Sequence, residues 1–125
     1  MTTQQTIRAF LLIEAIAFIT AGAIHSGIFT AIDIHYQAAT AESIIGAVLL
    51  IGFGLSWIWP AQTRLIGLLA QAFAAFGTMV GVFTIAVGVG PRSVGDIAFH
   101  LAILAVLGVG LVITARSGEI RGMRA

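Results

Sequence analysis

Long apolar runs separated by short, more polar segments dominate the chain. The runs lie at 7–28, 38–59, 65–89 and 94–115. Each is about 20 residues long or slightly more, which is enough for a helix to cross a hydrocarbon core of ~30 Å. Because the runs are continuous rather than alternating, they favour helices over the strands of a membrane barrel. The pattern predicts four transmembrane helices in a single domain, 1–125.

The segments between the apolar runs are short, and this predicts the topology. They cover 29–37, 60–64 and 90–93. Short loops join antiparallel neighbours, so the predicted fold is all-α, an integral membrane four-helix up-down-up-down bundle. Ser93 and Asp96, three residues apart at the start of the fourth run, have the spacing of a capping box with Asp in place of Glu.

Composition places the chain in a lipid bilayer. It is 59% hydrophobic and 9% charged, whereas a soluble domain is about 25% charged. The absence of cysteine and lysine excludes a disulfide framework, covalent c-type haem and a lysine Schiff base. With a net charge of +1 and no basic patch, we expect no nucleic-acid partner. Glu14 within the first run argues against a cleaved signal peptide.

Arginine placement predicts the orientation. Only Arg92 falls on one side of a four-span chain, and the other arginines fall on the opposite side: Arg8, Arg64, Arg116, Arg121 and Arg124. Because positive charge is retained in the cytoplasm, we expect a multi-pass protein of a bacterial-type cytoplasmic membrane with both termini cytoplasmic. Tyr36, Trp57 and Trp59 lie at run ends, as interfacial aromatic residues do.

Polar side chains from all four predicted helices reach one depth near the outer surface. Counting ~1.5 Å per residue from the run ends, this outer layer holds His25, Glu42, Thr84, Asp96 and His100. Asp96 and His100 are four apart and share one helix face. In the first outer loop, Asp33 and His35 are placed to fold over the layer, with His35 as a further candidate ligand.

Ionisable groups within a bilayer are costly unless they are paired, so this layer needs an explanation. His25, Glu42, Asp96 and His100 match a transition-metal site for Zn, Cu or Fe. His25 and His100 alone match the axial ligands of a b-type haem. Plain interhelical hydrogen bonds, such as His25 with Glu42, or a proton-handling cavity fit the same residues, and the sequence leaves these alternatives open.

A second, inner polar layer is predicted nearer the cytoplasmic side. Glu14 and Gln71 lie about two turns in from that side on the first and third helices, where a protonated Glu14 would donate a hydrogen bond to Gln71. Glu14 and His25 are eleven apart, close to three turns, and share one face. We interpret the pair as a buried interhelical contact, with a proton or quinone-headgroup site as the functional alternative.

Residues 21–25, Ala-Gly-Ala-Ile-His, and the acidic-then-glycine opening of the second helix over 41–55 carry a family resemblance. In these segments the chain resembles the DoxX-like group of small four-helix membrane proteins. The resemblance covers roughly the first half of the chain. It implies a four-helix bundle and, as for some members, a subunit linked to quinone-dependent sulfur oxidation. Asp96 and His100 are not part of it.

The predicted function is binding of a transition metal or haem-like cofactor by a redox or quinone-linked accessory protein. The alternative is a non-catalytic structural subunit of a larger membrane complex, or of a homo-oligomer, whose polar layer serves only helix packing. An independent enzyme is the third interpretation, since the sequence has no nucleophile triad, phosphate loop or HExxH motif.

Overall fold

The computed structural model describes residues 1–123, and of residues 120–122 only the backbone. Over this range every regular element is helical: α1 (Thr3–His25), α2 (Tyr36–Ile58), a 3₁₀ turn (Pro60–Gln62), α3 (Thr63–Ala86) and α4 (Val94–Met123). All four long helices are long and apolar enough to cross a membrane. The predicted all-α membrane bundle of four helices is confirmed. The Arg121 side chain and Arg124, used to predict orientation, lie outside the described residues.

The helix ends differ from the apolar run ends because capping, not hydropathy, decides where a helix begins and stops. α1 begins at Thr3 rather than at 7, since Thr2 and Gln5 form a capping box. It ends at His25 rather than at 28, because Gly27 takes a positive φ of 82°. His25 is therefore the last residue of α1 instead of lying about a turn inside its end, and it is buried there.

The other helices show the same shift of their ends. α3 ends at Ala86 rather than at 89, followed by Gly88 with a φ of 86°. α4 continues to Met123 instead of ending at 115, since no proline interrupts it. α2 runs over 36–58, close to the predicted 38–59.

Aliphatic and aromatic side chains from all four helices fill the centre of the bundle. Its most buried members are Ile7, Leu11, Ala15, Phe18, Ile45, Leu49, Ala70, Ala74, Ile103 and Leu107. This core lies between two polar layers. We call the end where α1 and α3 finish the distal end, and the end where the chain begins the terminal end.

Glycines bring α1 and α2 into close contact. A Cβ added at Gly46 would lie 2.7 Å from the Ile19 side chain and 3.1 Å from the Ile19 backbone nitrogen. One added at Gly22 would lie 2.7 Å from the Ser43 hydroxyl. Small residues at such positions let membrane helices approach closely. This close approach sets the spacing at which side chains of α1 and α2 meet at the distal end.

A buried arginine joins α1 and α2 at the terminal end. Arg8 donates from Nη2 to the Ser56 carbonyl at 2.6 Å and from Nε to the Ser56 hydroxyl at 3.1 Å. Its guanidinium lies 4.0 Å from the centre of the Trp57 ring, a cation–π contact. Arg8 therefore has a structural role in addition to the orienting charge that the sequence predicts.

Candidate functional site

His25 lies between two carboxylates at the distal end. Its Nδ1 is 2.6 Å from Glu42 Oε2, and its Nε2 is 2.8 Å from Asp96 Oδ1. The three residues come from α1, α2 and α4, and each is at least nine-tenths buried. We call Asp96, His25 and Glu42 the distal triad. It joins three helices through one imidazole ring.

Local structure aims Asp96 at His25. Asp96 lies in the first turn of α4, and its Oδ2 accepts hydrogen bonds from the Ser93 backbone N–H at 2.9 Å and from the Ser93 hydroxyl at 2.6 Å. The Asp96 N–H donates back to the Ser93 hydroxyl at 3.1 Å. This is the reciprocal arrangement of a capping box. One carboxylate oxygen therefore caps the helix, and the other is left to face His25.

The geometry of the distal triad requires one proton more than a neutral imidazole between two ionised carboxylates carries. A neutral imidazole has one N–H and one lone pair, so it can donate to only one of two carboxylates. Both ring nitrogens of His25 are within hydrogen-bond distance of a carboxylate oxygen. Either His25 is an imidazolium that donates twice, or one of the two carboxyl groups is protonated and donates to the ring. The triad therefore holds a proton shared among three groups.

Glu42 has an oxygen that the triad does not use. Its Oε1 is buried and has no hydrogen-bond partner among the described residues. An unpartnered buried polar atom costs about 1–3 kcal/mol and calls for an explanation such as function or bound water. The triad thus ends on α2 in an unused hydrogen-bonding position.

His100 presents a second unused position beside the triad. Its Nδ1 is 2.8 Å from the Asp96 backbone carbonyl. Since a carbonyl only accepts, Nδ1 carries the hydrogen, and Nε2 of the neutral ring is a lone-pair acceptor. Within the described residues Nε2 makes no hydrogen bond. It packs against Gly81, where an added Cβ would lie 2.7 Å away.

Two hollows flank the distal triad. A cleft of about 150 Å³ between α2 and α3 is lined by Glu42, His100 and Phe18, together with residues of both distal loops. We call it the α2–α3 cleft. A groove of about 450 Å³ between α1 and α4 is lined by His25, Asp96 and Asp33. We call it the α1–α4 groove. The triad spans the bundle from one hollow to the other.

The remaining outer-layer residues have structural contacts. His35 caps α2 by accepting from the Ala38 N–H at Nδ1, at 3.2 Å. Its Nε2 lies 3.4 Å from the Val89 carbonyl, in the loop before α4. Thr84 lines the α2–α3 cleft, but its hydroxyl donates to the Gly81 carbonyl at 2.7 Å. His35 thus positions the two distal loops.

The structure gives the predicted metal and haem sites no support. The part of the chain that it describes contains no group of three or more His, Asp or Glu side chains placed to hold a metal ion. His25 has both ring nitrogens hydrogen-bonded, so it would have to leave a carboxylate to become a ligand. Glu42 and His100 alone fall short of the three protein ligands of a catalytic zinc site.

The inner layer forms the pair that the sequence predicts, with the hydrogen bond reversed. Gln71 Nε2 donates to both oxygens of Glu14, at 3.0 and 3.2 Å, rather than accepting from a protonated Glu14. Thr114 of α4 completes the contact by donating to Gln71 Oε1 at 3.0 Å. We call these three residues the inner clasp, and each is 0% exposed. These hydrogen bonds explain why the three polar side chains are buried, without a cavity at the clasp.

Two residues that shape these sites, Thr114 and Gly110, escape sequence reasoning, and the spacing of small residues predicts Gly81 only as a packing position. Thr114 carries no charge and is inconspicuous in an apolar helix. Gly81 and Gly110 matter only through what approaches them, which are His100 and the pair of Gln71 with Glu14. The available signal is small-residue spacing, which does not reveal which side chain fills the space.

No family model matches the chain, and no curated protein or solved structure is similar enough to count as a match. The resemblance to the DoxX-like group therefore stays a prediction. The geometry of the distal triad and its two hollows is the basis for the function proposed below.

Proposed function

We propose that this small multi-pass membrane protein transfers protons at its distal end through the distal triad. The observation that carries the proposal is the position of His25, with one carboxylate oxygen 2.6 Å from Nδ1 and another 2.8 Å from Nε2. Histidine is suited to this because its protonation changes near neutral pH and its two nitrogens can take up and release a proton separately.

The transfer uses only groups of the triad. A protonated Asp96 at the α1–α4 groove gives its proton to His25 Nε2. The ring then releases the proton on Nδ1 to Glu42 Oε2, at the side of the α2–α3 cleft. One proton enters and one leaves, so His25 stays neutral overall, and no oxidant or reductant is needed. Movement in the reverse direction uses the same contacts.

The position of the hollows limits what such a relay can serve. Both the α1–α4 groove and the α2–α3 cleft lie at the distal end, so the relay moves protons across the bundle and not across the bilayer. This suits an accessory protein that supplies or removes protons for a reaction in a partner membrane subunit or in a second copy. Oxidation of a quinol releases protons, and the DoxX-like resemblance favours such a quinone-linked role. A metal or haem plays no part in this proposal.

A purely structural role is the second candidate, and a specific observation favours it. The distal triad joins α1, α2 and α4, while the inner clasp joins α1, α3 and α4. Together they tie every helix of the bundle. In this case the protein is a non-catalytic subunit, and the triad keeps one fixed protonation state.

Infrared spectroscopy distinguishes the two candidates. The protein is reconstituted in lipid, and the pH is changed between about 5 and 8, where histidine titrates. A proton-transferring triad takes up and releases protons over this range, so carboxyl bands of Asp96 or Glu42 change reversibly. The Asp96 band should be lost in Asp96→Asn, and the Glu42 band should be lost in Glu42→Gln.

The matched control is Glu14→Gln, which changes the buried carboxyl group of the inner clasp. It should leave the distal bands in place. If the wild-type protein shows no carboxyl or imidazole band that depends on pH, or if Glu14→Gln alone removes the bands, the proton-transfer proposal is wrong and the structural role stands.

A further inference from the structure

We infer that the α2–α3 cleft binds a small ring-shaped molecule that carries a hydroxyl group, of which phenol is the simplest. This inference deepens the proposed function by naming the class of molecule at the cleft end of the distal triad. The size of the cleft, the chemistry of its lining and the hydrogen-bonding state of His100 support it.

The size of the cleft sets the size of the ligand. Its volume is about 150 Å³. An engineered apolar cavity of about 150 Å³ in another protein binds benzene. A single six-membered ring therefore fits, whereas drug-sized ligands need about 300 Å³ or more.

The lining of the cleft is mostly apolar, which suits the ring. Phe18, Ile45 and Val80 contribute hydrocarbon surface, and Gly77 and Ala41 leave space by their small size. Binding sites of this kind use apolar walls for affinity and a few polar groups for orientation. Few polar groups remain here to orient the ligand.

The state of His100 sets the polar requirement. Its Nδ1 hydrogen is held by the Asp96 carbonyl, so Nε2 is an acceptor with no partner among the described residues. Glu42, which lines the same cleft, has the unpartnered oxygen Oε1. His100 Nε2 accepts a hydrogen bond, so a ligand bonded to it must donate one. A hydroxyl group does so, whereas a plain hydrocarbon ring would leave this acceptor unpaired, at a cost.

Three other polar side chains of the cleft, Thr78, Thr84 and His35, are already engaged, whereas the Gln37 amide lies at the exposed start of α2. The Thr84 hydroxyl donates to the Gly81 carbonyl, and His35 caps α2. The cleft is also lined by Gln37, in the first turn of α2, and by Pro91 of the loop before α4, so it opens towards the interface between water and lipid. Amphipathic rings favour that interface, which concentrates such a ligand at the entrance.

Binding is tested with 4-fluorophenol, followed by its fluorine NMR signal during titration into the protein in lipid nanodiscs. We expect a bound signal that saturates at one ligand per protein, and only a linear partition signal from empty nanodiscs. Fluorobenzene, which lacks the hydroxyl group, should bind at least tenfold more weakly, a difference of about 1.4 kcal/mol.

Three variants separate the parts of the argument. His100→Phe keeps a ring but removes the acceptor, so affinity for 4-fluorophenol should fall at least tenfold. Ala41→Phe fills the cleft from an exposed position on α2. It should abolish binding while His100 itself is unchanged. Thr40→Val, which keeps volume and removes a hydroxyl that lies outside the cleft and donates to the Tyr36 carbonyl, should bind as the wild type does.

Saturable binding that His100→Phe and Ala41→Phe weaken, and that Thr40→Val leaves unchanged, supports the inference. Absence of saturation, equal binding of fluorobenzene, or no effect of Ala41→Phe overturns it. Its failure is separate from failure of the proton-transfer proposal, because the infrared bands of the distal triad are recorded without ligand.

Discussion

At the residue scale, His25 shows why buried ionisable side chains stay paired in an apolar environment. Its two ring nitrogens meet carboxylates from α2 and α4. In water each contact would be worth little, and interhelical hydrogen bonds in membranes average about 0.6 kcal/mol. The larger quantity is the cost of leaving buried ionisable groups without a partner. This cost keeps the three side chains of the distal triad together.

Replacement of His25 by alanine tests that cost. His25→Ala leaves Glu42 and Asp96 facing each other without the ring between them. Because removal of one partner from a buried ionic contact costs roughly 3–5 kcal/mol, we expect the free energy of unfolding to fall by about that amount. Unfolding in mixed micelles with a denaturing detergent measures it.

Thr84→Val serves as the control for this measurement, since the Thr84 hydroxyl bonds only to its own helix. It should change the free energy of unfolding much less than His25→Ala does. Equal effects of the two substitutions would show that the triad contributes no more than an ordinary hydrogen bond.

At the scale of the elements, glycines determine which faces of the helices meet. Gly110 of α4 lies against the inner clasp, where an added Cβ would press on Gln71 Nε2 and Glu14 Oε1. Gly108, two residues earlier on the same helix, has nothing within 4 Å of an added Cβ. The two glycines therefore have the same sequence surroundings and opposite packing roles.

This pair provides a matched test of the inner clasp. Gly110→Ala should destabilise the bundle by about 1–3 kcal/mol, the usual cost of overpacking a filled site. Gly108→Ala should be neutral or slightly stabilising, since alanine is the better helix former. Unfolding in micelles compares the two variants. If Gly108→Ala destabilised the bundle as much as Gly110→Ala does, the contact between Gly110 and the inner clasp would not be the cause.

At the scale of the whole molecule, the polar groups form two layers on either side of an apolar core. Arg8 and Arg64 are at the terminal end, where Arg64 donates to the Ala115 carbonyl at 3.0 Å. The distal triad and both hollows are at the other end. The arginine placement predicts that the terminal end faces the cytoplasm, in which case the hollows open to the outer side.

Because the chain has no cysteine, this orientation can be measured on a clean background. Gln37→Cys places a thiol beside the α2–α3 cleft, and Gln4→Cys places one in the first turn of α1. In intact cells, a membrane-impermeant maleimide should label Gln37→Cys and should label Gln4→Cys only after permeabilisation. The reverse result would invert the orientation and place the proposed ligand site on the cytoplasmic side.

Much of the fold and part of the site follow from sequence. The apolar runs predict the four helices, and counting residues from the run ends predicts that His25, Glu42, Asp96 and His100 share a depth. The capping box of Ser93 and Asp96 and the pairing of Glu14 with Gln71 also follow, and the structure confirms both. The predicted role of the outer-layer residues as metal ligands cannot be derived from depth in this way, because it depends on which atoms face each other in the folded bundle.

The sequence alone determined that the chain forms four apolar helices long enough to cross a membrane and that the polar side chains gather in two layers, since these depend on local composition and a fixed rise per residue. The tertiary structure decided how each helix is rotated about its axis. That rotation is set by the close approach at Gly46, Gly81 and Gly110, by the fit of the core and by the capped helix ends. It placed His25 between two carboxylates, and it made the α2–α3 cleft and the α1–α4 groove.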